Sequence, residues 1–101
     1  MAFSQWWNFT ASLVGYDRDD GAVYEFADSA ETIVYIGSTN ELKRRLTEHL
    51  GESTTSCIKK NTAKYRYEYT TNYAKLEQQL YDEYVRTYKK PPACNTMRPP
   101  G

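Results

Sequence analysis

The sequence predicts a compact α+β domain. Two short β-forming runs flank a polar loop, a third run alternates tyrosine with polar residues, and two further segments repeat apolar residues at helical spacing. The runs Ala22-Val23-Tyr24-Glu25-Phe26 and Ile33-Val34-Tyr35-Ile36-Gly37 are joined by six polar or small residues, 27–32, and read as a hairpin. Side chains alternate across a strand, so Ala22, Tyr24 and Phe26 share one face, Ile33 and Tyr35 share a face of theirs, and the two tyrosines become neighbours. A helix follows, capped by Thr39 or Asn40, carrying the stripe Leu42, Leu46, Leu50 and stopped by Gly51. At about 100° per residue, Arg45 and His49 lie beside that stripe and, at i, i+4, point the same way. Arg44 and Glu48 form an outer pair at the same spacing. Residues 55–63 hold a short second helix, and residues 65–70 form a third strand with Tyr65, Tyr67 and Tyr69 on one side. A last helix spans 73–88, with Tyr73, Leu76, Leu80, Tyr84 and Tyr88 along its apolar arc, and Pro91 and Pro92 end it.

Composition narrows the class. A chain of 101 residues with 40% hydrophobic and 26% charged content is one globular domain. No apolar run approaches the length that spans a bilayer, and the N-terminal stretch lacks the pattern of a signal peptide, so the expected location is cytoplasmic, with no membrane partner. Asn8-Phe9-Thr10 fits a glycosylation sequon, which has no meaning without secretion. Cys57 and Cys94 are far apart, have no metal spacing and read as reduced thiols. Residues 1–20 form an aromatic and acidic extension, whose Trp6, Trp7 and Phe9 cover a core edge.

Net charge is zero but uneven. Residues 1–42 carry one basic and seven acidic side chains, and residues 43–66 carry seven basic and two acidic. Lys43, Arg44, Lys59, Lys60 and Lys64 from that basic block are the expected contacts to nucleic-acid phosphates, although zero net charge argues against strong non-specific DNA affinity. Glu77 is the sharpest anomaly: it projects into the apolar arc of the last helix. A buried carboxylate requires a partner, and this one reads as a metal ligand, a partner of Arg45, or a residue satisfied by a salt bridge or a tyrosine hydroxyl. Tyr24 and Tyr35 as proton acceptors or donors, Arg45 as a fixed charge, His49 as a titratable imidazole and Glu77 are the parts that phosphodiester hydrolysis uses.

These residues also carry a resemblance. Val23-Tyr24 and Tyr35-Ile36-Gly37, then Ser38, Asn40, Leu42, Arg45 and His49, then Glu77 on its helix and Asn95 after it, resemble the GIY-YIG nucleases in order and spacing. Ala22 departs from the glycine usual there, a change of one methyl group. The resemblance covers roughly residues 21–96, leaving 97–101 as a short tail. It implies a three-stranded antiparallel sheet flanked by helices, and an endonuclease that uses one divalent metal, Mg²⁺ or Mn²⁺, held by Glu77. Tyr24, Tyr35, Arg45, His49 and Glu77 would be the catalytic set, with proton acceptance open between Tyr24 and His49. Gly37, Ser38, Asn40 and Asn95 would support the fold around them. The expected substrate is DNA, with RNA also open, cut with weak sequence preference and targeted by substrate structure, a protein partner or a second copy of the chain. Two other classes compete: a non-catalytic nucleic-acid-binding or interaction module, and a structural protein with a tyrosine-rich core. The latter leaves Glu77 without a reason.

Overall fold

In a computed structural model of the chain, which describes residues 3–95, a four-stranded antiparallel sheet carries helices on both faces. The elements in order are β1 (Trp7–Asn8), α1 (Ala11–Val14), β2 (Ala22–Ala27), β3 (Ile33–Thr39), α2 (Leu42–Leu50), α3 (Cys57–Asn61), β4 (Lys64–Tyr69) and α4 (Tyr73–Tyr88). The strand order is β1-β4-β2-β3. The predicted tail lies outside the described residues.

The sheet has four strands where the sequence suggested three. The extra strand, β1, is two residues long, too short to show alternation, and is set by pairing Trp7 with Tyr65 and Asn8 with Lys64. Phe9 beyond it packs on Phe26 and Tyr65. The extension thus covers the sheet edge with its aromatic residues, while Val14 of α1 enters the core at 1% exposure.

The hairpin forms with Tyr24 opposite Gly37 and Phe26 opposite Tyr35. Its loop is organised by Asp28, whose carboxylate accepts from the backbone N–H groups of Ala30 and Thr32. The strand β2 is central and wholly buried. One of its faces turns Ala22, Tyr24 and Phe26 toward Leu42, Leu46, Tyr65 and His49. α4 packs against β3 and β2. Glu25, also on β2, is buried and takes both Nε (2.8 Å) and Nη2 (2.7 Å) of Arg66 from β4. Arg66 in turn lies over the rings of Phe3 and Trp6. The pairing supplies the charge that burying a carboxylate requires.

Neither expected residue caps α2. Its first N–H, from Leu42, donates to the carbonyl of Asp20, and Arg44 N–H donates to Asp19 Oδ1 at 3.0 Å. The cap comes from a loop 25 residues upstream, so local sequence did not reveal it. On α4 the inward face is narrower than the predicted arc. Glu77 and Tyr81 are buried, whereas Tyr88 packs at a tilt against Tyr84 and remains 59% exposed.

The two cysteines are not free thiols. Cys57 at the start of α3 and Cys94, 37 positions later, form a disulfide, with Cα atoms 5.5 Å apart. Such a separation carries no pairing signal; the fold brings the two together. The same segment closes onto β3. Cys94 N–H donates to the Val34 carbonyl, while Asn95 accepts from Ile36 N–H (2.9 Å) and donates to Ile36 C=O (3.1 Å). Among the described residues no helix is long and apolar enough to cross a membrane.

Candidate active site

Four of the five predicted catalytic residues meet beside the hairpin. The Tyr24 hydroxyl is 2.9 Å from His49 Nε2, and the rings of Tyr24 and Tyr35 are 6.1 Å apart. The His49 ring also stands edge-on to Tyr35 and Phe26. Arg45, one turn before His49, lies close enough to act electrostatically on both tyrosine hydroxyls and donates to Glu48 at 3.0 Å. Glu77 approaches from α4, close enough to act electrostatically on both tyrosines.

The hairpin register explains this gathering. Gly37 faces Tyr24 across the β2–β3 pair, and a Cβ there would lie 2.6 Å from the Tyr24 hydroxyl and 2.7 Å from Tyr35 Cε2. The glycine is needed for this close approach; its backbone is ordinary strand. Gly37→Ala is therefore expected to displace both rings and lower stability by about 1–3 kcal/mol, as overpacking does. Urea unfolding of the purified variant measures this, and an unchanged midpoint would show that the tyrosines have room to move.

The electrostatics divide the site. Burial pushes the Tyr24 hydroxyl well above the ordinary tyrosine range and Tyr35 also raises it, while Arg45 acts in the opposite direction. Burial also raises Tyr35, with Arg45 again opposing. His49 is 1% exposed and burial holds its pKa below the ordinary value, against the pull of Glu52. Burial raises the Glu77 carboxyl, partly offset by a hydrogen bond from Ser38.

Glu77 has neither partner weighed from sequence. Arg45 pairs with Glu48, and the hydroxyl that reaches Glu77 belongs to Ser38. Among the described residues no ion pair reaches it. No group of three His, Cys, Asp or Glu that could hold a metal occurs among them either. A lone, cation-free carboxylate oxygen fits Mg²⁺ or Mn²⁺, which is commonly held by one or two carboxylates together with waters and substrate phosphate.

Sequence reasoning missed two residues here. Ser38, read as loop support, bonds Glu77 from within β3. Glu52, one residue beyond the end cap of α2, reaches His49 Nδ1 at 2.5 Å. Its i, i+3 spacing from His49 was the available signal, hidden because Gly51 ends the helix before it.

The predicted phosphate contacts are mostly engaged within the fold. Arg44 pairs with Glu41 and Glu48, Lys64 with Glu31, and the Lys59 ammonium donates to the Leu50 carbonyl at 2.6 Å. Lys43 lines an open depression with Asp17, Asp19 and Arg44, and Lys60 is exposed on α3. Asn40 is exposed at the bend before α2.

The fold and site define a small α+β domain with a largely buried tyrosine–histidine pair, an arginine beside it, and a nearby carboxylate with no cationic partner among the described residues. The chain belongs to a family described as a domain of unknown function (DUF7508), whose model matches residues 1–87. No curated protein matches it.

Proposed function

We propose that the chain is a metal-dependent endonuclease of the GIY-YIG kind, acting in the cytoplasm on DNA with weak sequence preference. The observation that carries this reading is Glu77: a buried carboxylate with no cationic partner among the described residues, set beside two tyrosines that share one arginine. A structural carboxylate would be expected to have its own charge partner, as Glu25 has Arg66.

The residues suggest a division of labour. Arg45, whose side chain is 38% exposed, is placed to donate to the scissile phosphate and to offset the charge that develops on it. The Tyr24 hydroxyl donates its proton to His49 Nε2, and the resulting phenolate, favoured by Arg45, takes a proton from the attacking water. Tyr35, less buried, orients that water and Tyr24. Glu77 would hold a divalent ion, and that ion would supply positive charge to the phosphate and to the departing 3′ oxygen. The internal engagement of Arg44, Lys59 and Lys64 favours this reading over a dedicated nucleic-acid-binding module, which would present those charges. It also fits targeting by substrate shape, by a protein partner or by a second copy.

The test is cleavage of a labelled panel (duplex, single strand, flap, four-way junction, RNA) with Mg²⁺ or Mn²⁺. Arg45→Ala is expected to lower the rate on the preferred substrate by about 10²–10³-fold with folding retained. Salt-sensitive binding with no cleavage of any substrate would point instead to the binding module.

A further inference from the structure

We infer that Glu52 is a positioning residue: it fixes His49 in the Nδ1–H tautomer and so leaves Nε2 free to accept the Tyr24 proton. This inference rests on the nuclease reading for its purpose, but its geometry stands separately.

The two nitrogens of His49 have different partners. Glu52 Oε2 lies 2.5 Å from Nδ1, and the Tyr24 hydroxyl lies 2.9 Å from Nε2. An ionised carboxylate only accepts hydrogen bonds, so Nδ1 carries the hydrogen and Nε2 presents its lone pair. Glu52 lies near the start of α3, where the N-cap Ser56 helps to lower its pKa and the adjacent Cys57 is tied to Cys94. The arrangement is the acid–imidazole–hydroxyl order of a catalytic triad, with a phenol in place of the serine.

When the proton moves, the Tyr24 O–H bond breaks and an Nε2–H bond forms. Neutral phenol and imidazole become phenolate and imidazolium. The carboxylate of Glu52 offsets the imidazolium charge in a site where burial opposes it. The other groups acting on His49 are Arg45, which opposes its protonation, Glu48, which favours it, and the hydroxyls of Tyr24 and Tyr35, both neutral before the transfer.

His49 is the only histidine in the chain, so nitrogen-15 NMR of its ring reports on it alone. The wild-type protein is expected to show the Nδ1–H tautomer at neutral pH. In Glu52→Gln, loss of the carboxylate charge lowers the His49 pKa, and Glu52→Asp restores part of the shift. In the cleavage assay the acidic limb of the rate profile moves to lower pH in Glu52→Gln, and the rate falls by about 10–100-fold. A wild-type ring protonated on Nε2, or a His49 titration indifferent to Glu52→Gln, would overturn the inference whatever the activity. Absence of cleavage in the wild type, with the Nδ1–H tautomer and its Glu52 dependence present, would overturn the nuclease reading and leave the positioning role standing.

Discussion

Glu77→Gln is expected to reduce metal-dependent cleavage on the order of 10³-fold while making the protein more stable, by about 1 kcal/mol. The two effects share one cause. Glutamine is nearly isosteric and its carbonyl oxygen still accepts from Ser38, so packing on the sheet is kept. The substitution removes a negative charge that is buried at 8% exposure with no cation beside it among the described residues, and so removes a desolvation penalty. It also removes the charge that attracts a divalent ion. The wild type should therefore gain thermal stability as Mg²⁺ or Mn²⁺ is added, and the variant should not, because only a folded state with a site responds to a ligand in this way. Chelation should reverse the gain. A variant that loses both stability and cleavage would assign Glu77 to the framework, and one that cleaves normally would remove it from the site.

The second large effect is on stability alone. Breaking the Cys57–Cys94 bond, by a reductant or by Cys57→Ser, releases a loop of 37 residues, which chain-entropy reasoning values at about 3–4 kcal/mol. For a domain of this size the melting temperature should fall by roughly 15–30 °C. The loss includes local order, because the segment that carries Cys94 also holds Val34 and Ile36 of the edge strand through Cys94 and Asn95. Tyr35 and Gly37 lie next to those contacts, so reduced protein should lose activity at temperatures where the oxidised form is still folded. Thermal unfolding with and without reductant measures this. Equal melting curves, or two titratable thiols in the native protein, would remove the bond from the account. The bond also bears on the proposed cytoplasmic location, since disulfides persist where the environment is oxidising. Thiol alkylation in intact cells before lysis reports the state in place.

The elements were legible in sequence wherever a period repeats. The two β-forming runs of the hairpin, the Leu42–Leu46 stripe and the long α4 each present their pattern within a dozen or so residues, so local sequence sufficed to place them. The same holds for the pointing of Arg45 and His49, which follows from i, i+4 spacing on one helix, and for Glu77, whose place on the apolar side of α4 follows from helical projection. Partners joined across the fold were not legible. Asp19 capping α2, Arg66 neutralising Glu25, Ser38 meeting Glu77 and Cys57 bonding Cys94 each link residues 25 or more positions apart. No periodicity encodes such a pair, because its members are matched by geometry after the elements pack, and several residue types serve equally well at each position. β1 belongs with these, since two residues hold a strand conformation only because β4 offers a ladder to join. Residue types and spacing therefore determined by themselves which elements form and which side chains share a face. Packing alone decided that Glu25 is neutralised and that Glu77 has no cation beside it among the described residues, because desolvation and pairing depend on neighbours that local sequence does not specify.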